Sequence, residues 1–145
     1  MKNILLASVA TPVGALLALG NLTSIKEYPQ VIFATTSVLF FMGAGNTMND
    51  VRDIKIDRIA HPSRPLAREA LSEVEAKGIT IILAILSLGS LTACCLLMQD
   101  EIEYTLTIYG IVALLMLSYD SFFELKNKGL VGNMSISLLV AAVTL

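Results

Sequence analysis

One short polar segment, residues 49–58, carries the side chains best suited to chemistry in this chain. It contains three aspartates and an asparagine and follows an apolar run. Asn49, Asp53 and Asp57 are spaced four residues apart, so on a helix they lie along one face, about 6 Å from neighbour to neighbour. Asn46 extends the stripe back towards the apolar run. Carboxylate and amide oxygens at this spacing suit Mg²⁺ that is shared with a phosphate-bearing substrate.

Other charged residues surround this stripe. Asp50 lies about 100° around the helix from Asn49, so we expect it to orient a ligand and not to bind metal directly. Arg58 and Arg64 are placed to bind the remaining phosphate charge, Arg64 from a loop that can fold back over the site. The plain alternative is a solvated helix end, with Arg64 in water or against lipid headgroups. That alternative explains the bases better than the acids, because the acids share a face.

The elements that position the segment are apolar runs of membrane-spanning length. The chain is 55% hydrophobic and 15% charged, whereas a soluble domain has roughly a quarter charged residues. This composition therefore predicts an all-α integral membrane protein that folds as a multi-span transmembrane helical bundle. We expect a single domain over residues 1–145. The predicted spans are residues 3–22, 31–48, 79–98 and 104–119, with a fifth starting near residue 130 and apolar to residue 145.

The basic residues predict how these spans are oriented. If the N-terminus and the connections 49–78 and 120–129 are cytoplasmic, nine of the ten Lys and Arg residues lie inside and only Lys26 lies outside. This imbalance follows the positive-inside rule. We therefore predict a multi-pass protein of the cell membrane whose active-site loops are cytoplasmic, with membrane lipids as its surroundings and no nucleic-acid partner.

The long connection between the second and third spans has its own local signals. Pro62 and Pro65 break it, and residues 67–77 have helical composition. Ser72 with Glu75 three residues later is typical of a capping box at a helix start. Long connections of this kind are commonly functional lids or binding loops.

Two segments resemble those of a known family. Asn49-Asp50-x-x-Asp53-x-x-x-Asp57, followed by His-Pro-Ser-Arg-Pro-Leu at residues 61–66, resembles the first aspartate-rich motif of the UbiA-type intramembrane prenyltransferases. In that family the motif reads NDxxDxxxD and leads into a loop that contains Arg-Pro. Residues 125–133 resemble the segment that joins the family's fourth and fifth helices. With the order of the spans, the resemblance covers nearly the whole chain.

The resemblance implies a fold of nine spans, of which about five are present here, and transfer of a prenyl group from a prenyl diphosphate to a membrane-soluble acceptor with Mg²⁺ as cofactor. By analogy, Asn49, Asp53 and Asp57 match the metal positions, and Asp53 and Asp57 are the expected catalytic acids. Lys126 matches a basic residue that contacts diphosphate. The other expected diphosphate-binding residues are Asn46, Asp50, Arg58 and Arg64.

The segment from Asp53 to Pro65 looks most like the archaeal branch that adds a geranylgeranyl chain to geranylgeranylglyceryl phosphate in ether-lipid synthesis. Relatives from quinone and haem pathways share much of the motif and stay open as alternatives. The family's second aspartate-rich motif, between its sixth and seventh helices, is not in this sequence. We therefore expect an N-terminal half that is truncated before that motif and is a poor enzyme alone, with a complementary C-terminal half as a possible partner.

Two further alternatives belong to other functional classes. One is a non-catalytic membrane fragment or structural subunit, in which the charges only set the topology; the missing second motif favours it. The other is a fragment of a transporter or channel with the acids along a cation path. Transporters more often place such acids at mid-membrane in broken helices, so this alternative ranks last.

Overall fold

A computed structural model describes residues 2–19, 28–98 and 102–117, together with Leu130 and Met134. The described residues contain five α-helices and no strand, as the composition predicts. Lys126 lies outside the described residues, as does the predicted fifth span apart from Leu130 and Met134. The helices are α1 (Lys2–Leu19), α2 (Pro29–Arg52), α3 (Ile54–Ala60), α4 (Glu73–Leu97) and α5 (Ile102–Leu117).

Two described helices, α2 and α4, are long and apolar enough to cross a membrane. At 1.5 Å per residue each is longer than the hydrocarbon core of about 30 Å. A shorter apolar stretch occupies Ile102–Leu114 of α5. The helices α1, α2, α4 and α5 coincide with the first four apolar runs of the sequence, so the all-helical prediction is confirmed for the described residues. The count of five spans out of nine stays a prediction.

The centre of the fold is the pair formed by α2 and α4, and α1 also packs against α2. The pair is antiparallel, because the start of α2 contacts the end of α4, where Cys94 Sγ lies 3.5 Å from the carbonyl oxygen of Gln30. Nearer the other end, Gly43 lets Leu83 approach closely: a Cβ at Gly43 would lie 3.3 Å from Leu83 Cδ1. Such close packing through small residues is how helices associate in lipid.

The burial pattern is inverted relative to a soluble protein. Even the largest of the fully buried side chains are small: they are Ser37, Ser87 and Cys94. Large apolar side chains point outwards along the spans, which fits contact with lipid tails. Among the most exposed are Leu17, Ile81, Ile85, Leu96 and Leu114.

A buried set of hydroxyl groups, which we call the serine–tyrosine network, links three helices through Ser37, Ser87 and Tyr109. Ser37 Oγ donates to the carbonyl oxygen of Ser87 at 2.9 Å, and Ser87 Oγ donates to the carbonyl oxygen of Ser37 at 2.8 Å. Tyr109 of α5 bonds to Ser87 Oγ. Its ring also packs against Phe41 of α2, with centroids 5.3 Å apart. Polar groups at this depth are therefore satisfied within the protein, as lipid requires.

The other end of the α2–α4 pair, which we call the loop end, is formed by residues 53–72. The helical path continues past the end of α2, because Asp53 N donates to Asn49 O at 2.9 Å and Asp57 N donates to Asp53 O at 2.8 Å. Asp53 itself is a break between α2 and α3, with φ −86° and ψ 5°. The predicted i, i+4 relation of Asn49, Asp53 and Asp57 is thus kept in the backbone.

The start of α4 is only partly as predicted. The capping box at Ser72 is confirmed: Glu75 N donates to Ser72 Oγ at 3.2 Å, and Ser72 N donates to Glu75 Oε2 at 2.9 Å. Residues 67–72 form turns despite their helical composition, and α4 begins at Glu73, directly after the predicted cap. Glu69 has a positive φ of 61°, a conformation that a right-handed helix excludes.

Candidate functional site

The loop is fixed to both long helices by one apolar side chain. Leu66 is buried and packs with Val51 of α2 and Ala76 of α4. Ile54 and Leu71 pack at the edge of this cluster. A loop that is anchored across two helix ends has a defined position over the polar segment, even though most of its residues are exposed.

A series of turns brings Arg64 back to the acids. His61 N donates to Asp57 O at 2.8 Å, and Arg64 N donates to His61 O at 3.0 Å. The chain thereby reverses after α3, and the Arg64 side chain reaches the helical path it has just left. The predicted folding back of this loop is therefore present in the structure.

Arg64 joins two carboxylates, an arrangement that we call the Arg64 bridge. Its Nη1 lies 2.6 Å from Asp57 Oδ2 and 3.3 Å from Asp50 Oδ1. The two aspartates are seven residues apart, which is about two helical turns and so the same side of a helix. A single positive group therefore serves two acids.

The two halves of the Arg64 bridge differ in burial. The Asp57 side chain is only 6% exposed, whereas Asp50 and Arg64 are about two-fifths exposed. A buried carboxylate requires a positive partner, and the hydrogen bond from Arg64 to Asp57 is short and charge-assisted. This bond raises the pKa of the Arg64 guanidinium further above its usual value, so the group is always charged. The longer contact with Asp50 is the weaker one.

The remaining predicted residues are distributed around the bridge. Asn46 and Asn49 are half-buried in the last turns of α2, and Asp53 lies at the break before α3. Arg58 is directed elsewhere: its Nη2 lies 3.0 Å from Glu69 Oε1, and both side chains are exposed. Lys126 lies outside the described residues, so its predicted place at the site stays a prediction.

A pocket of about 310 Å³ lies beside the Arg58–Glu69 pair. It is formed by α3, the loop and the start of α4, and it mixes apolar walls with acidic and basic groups. Leu66 contributes to this pocket as well as to the apolar cluster that fixes the loop. The lining residues are Ile54, Arg58, Leu66, Glu69, Leu71, Ser72 and Glu73.

The oxygen donors can be tested against the predicted Mg²⁺. Among the residues that the structure describes, no three His, Cys, Asp or Glu side chains are grouped as a protein-only metal cage. Mg²⁺ rarely uses such a cage, because it keeps several waters and takes one or two carboxylates together with substrate phosphates. Of the predicted ligands, Asp57 already lies beside a positive charge, and backbone hydrogen bonds keep Asn49, Asp53 and Asp57 on one helical path. The chemistry of these donors therefore fits a magnesium ion that arrives with a diphosphate.

Comparison with known sequences decides the family. The UbiA prenyltransferase family matches residues 7–145, nearly the whole chain. This chain belongs to the UbiA prenyltransferase family. The resemblance found in residues 49–66 is thus confirmed, and no solved structure matches the chain.

Three similar relatives share the name digeranylgeranylglyceryl phosphate synthase. The one from Methanobrevibacter smithii is 32% identical over 139 residues, which covers 94% of this chain and 45% of the relative. The one from Pyrococcus furiosus is 31% identical, covering 97% and 46%, and one from Methanococcus maripaludis is 28% identical, covering 99% and 47%. The chain spans about half the length of the curated relatives it matches.

Two features of this UbiA family member were missed by reasoning from sequence. The first is the joint pairing of Asp50 and Asp57 with Arg64; the signal was their seven-residue spacing, which the four-residue stripe obscured. The second is the serine–tyrosine network. Ser37 does stand seven residues before the buried Ala44 and fourteen before the buried Val51, so the heptad spacing of small residues in an apolar run would have indicated a buried seam.

Proposed function

We propose that the protein to which this chain belongs is a Mg²⁺-dependent prenyltransferase of the cell membrane, and that the chain supplies the first aspartate motif. The observation that carries this proposal is the Arg64 bridge, in which Asp50 and Asp57 converge on one cation at the end of a membrane-spanning helix. Acids in such a place are costly unless they bind something. A bound cation would pair with the acids, and a phosphate-bearing substrate would pair with the arginine.

We assign the metal to Asn49, Asp53 and Asp57, with Asp53 and Asp57 as the catalytic acids. When bound, Mg²⁺ supplies positive charge to the leaving diphosphate. Arg64 would add hydrogen bonds to the same phosphates, because its planar guanidinium matches their oxygens. The further residues assigned to the diphosphate are Asn46, Asp50, Arg58 and Lys126. No protein nucleophile is needed, since the acceptor captures the allylic group behind apolar walls that exclude water.

For the substrates, we propose a geranylgeranyl group as donor and geranylgeranylglyceryl phosphate as acceptor. The support is the shared name of the relatives, at about 30% identity across nearly all of this chain. We also propose that the loop end faces the cytoplasm in a multi-pass topology, because the basic residues concentrate there.

The test is transfer of a radiolabelled geranylgeranyl group in membranes that contain the longest reading frame with this chain in it. Acceptors are geranylgeranylglyceryl phosphate and a hydroxybenzoate, each with and without a chelator. We expect chelator-sensitive transfer to the glyceryl phosphate, lost in Asp57→Asn and kept in Glu103→Gln, an exposed acid of α5. Transfer to the hydroxybenzoate alone would overturn the acceptor. Absence of both transfer and binding of geranylgeranyl diphosphate would overturn the function.

A further inference from the structure

The Arg64 bridge includes one of the residues assigned to the metal. Arg64 Nη1 lies 2.6 Å from Oδ2 of Asp57 and 3.3 Å from Oδ1 of Asp50. A metal ion held by Asp57 would therefore compete with the guanidinium for that buried carboxylate. We propose that Arg64 is a place-holding cation, which neutralises Asp50 and Asp57 in the absence of substrate and moves to the diphosphate when the metal–diphosphate complex binds. This inference rests on the proposed function.

The need for such a place-holder comes from Asp57. Its carboxylate is 6% exposed, and a buried charge without a partner is strongly destabilising. Arg64 supplies the partner from the loop. Arg64 thus balances the charge of this site while no metal ion is bound.

The exchange requires movement of a side chain only. Arg64 is 42% exposed, so its guanidinium can rotate towards solvent and towards an incoming diphosphate. The loop backbone stays fixed, because Leu66 is buried between α2 and α4 only two residues further on. A guanidinium has five donors arranged to match phosphate oxygens, so the diphosphate is a better partner for it than Asp50 at 3.3 Å.

The consequence is coupling between the two ligands. A metal ion alone must displace Arg64 from Asp57, whereas diphosphate gives Arg64 another partner. Each ligand therefore favours the binding of the other, and by linkage the effect is reciprocal. A fixed structural ion pair would not produce this coupling, and an arginine that only binds diphosphate would not weaken the binding of metal alone.

The experiment uses the protein made from the longest reading frame that contains this chain, purified into nanodiscs. It measures Mn²⁺ binding from the electron paramagnetic resonance signal of free Mn²⁺. It compares wild type, Arg64→Ala, Arg64→Lys and Arg68→Ala, each with and without inorganic diphosphate. Arg68→Ala is the matched control, because it removes the same charge from an exposed side chain of the same loop. Circular dichroism establishes that each variant is folded, and Arg64→Lys keeps a cation in place if Arg64→Ala does not fold.

Without diphosphate, we expect Arg64→Ala to bind Mn²⁺ about tenfold more tightly than wild type, since it loses a competing charged hydrogen bond. Arg68→Ala should stay within about twofold of wild type, because an exposed charge is well screened, and Arg64→Lys should remain close to wild type. Diphosphate should tighten Mn²⁺ binding strongly in wild type and only weakly in Arg64→Ala. Equal Mn²⁺ affinities of Arg64→Ala and Arg68→Ala would overturn the place-holding role alone. If no variant binds Mn²⁺ even with diphosphate, the proposed metal site fails as well.

Discussion

The serine–tyrosine network lies where α2 and α4 meet, and the Arg64 bridge lies at the loop end; the two sets of polar contacts differ in charge and exposure. Ser37 and Ser87 are each 1% exposed and neutral, and their hydroxyls bond to backbone oxygens. The bridge consists of ionised groups, two of which are about two-fifths exposed. The neutral contacts have no competitor in lipid, whereas water, metal ions and phosphates can all compete for the charged ones. The first arrangement suits a permanent contact and the second suits exchange.

This difference also fits the energies of the two kinds of contact. Hydrogen bonds between membrane helices are worth about 0.6 kcal/mol on average and at most about 1.7 kcal/mol. They do not need to be strong to be permanent, because the alternative is an unsatisfied group in hydrocarbon. Water and salt weaken a half-exposed ion pair, because they solvate and screen its charges. A ligand with better geometry can therefore replace one partner at little cost in free energy.

The largest effect should come from the buried acid of the Arg64 bridge. We expect Asp57→Asn to weaken binding of geranylgeranyl diphosphate in Mg²⁺ about a hundredfold, because loss of one partner from a buried, hydrogen-bonded charge pair costs roughly 2–5 kcal/mol. Asp50→Asn should weaken it about tenfold, because that contact is longer and more exposed. Equilibrium binding of the labelled diphosphate to each variant in nanodiscs measures both. Equal losses would show that burial does not rank the two acids.

The next effect concerns the side chain that holds the loop in place. We expect Leu66→Ala to destabilise the loop end by about 2 kcal/mol. This value is the lower end of the range for truncating a buried leucine, because the apolar cluster around Leu66 is small. Trypsin should then cleave after Arg68 faster, while the serine–tyrosine network keeps α2 and α4 paired. Ile59→Ala is the control, because Ile59 is 87% exposed. Identical cleavage rates in the two variants would mean that Leu66 does not anchor the loop.

The long helices and one cap were predictable because their signals are local. The apolar runs give α1, α2, α4 and α5, and Ser72 with Glu75 gives the start of α4. The spacing of Asn49, Asp53 and Asp57 is likewise a local property and is kept in the backbone. Local composition was not sufficient at residues 67–72, which have helical composition but form turns.

The contacts that build the site were less accessible from sequence. The pairing of Arg64 with Asp50 depends on the turns after α3 and on Leu66 packing between two helices. No pattern within one segment specifies such a contact. The match of Ser37 with Ser87 depends in the same way on the relative register of two helices that are fifty residues apart in sequence.

A smaller effect should come from the network itself. We expect Ser87→Ala to lower the free energy of unfolding by about 1 kcal/mol, within the range for hydrogen bonds between membrane helices. The cause is loss of the bonds to Ser37 and Tyr109. Ser90→Ala, in the same helix, is the matched control. Unfolding in sodium dodecyl sulfate followed by circular dichroism measures both. Diphosphate binding should be unchanged in Ser87→Ala, and a loss of binding there would break the separation between the two regions.

The smallest effect should come from the second ion pair at the loop end, Arg58 with Glu69. Both side chains are more than half exposed, and exposed pairs are worth about 0–1 kcal/mol. A double-mutant cycle with Arg58→Gln and Glu69→Gln should therefore give a coupling energy below about 0.5 kcal/mol, by the same unfolding measurement.

The cycle with Arg64→Gln and Asp57→Asn should give a clearly larger coupling energy, because one partner in that pair is buried. If the two cycles gave equal values, burial of Asp57 would not distinguish the Arg64 bridge from an ordinary surface pair. The Arg64–Asp57 pair would then contribute no more to stability than the exposed Arg58–Glu69 pair. Because the place-holding role needs a bridge that is strong towards Asp57 and weak towards Asp50, the cycle with Asp50→Asn should lie between these two values.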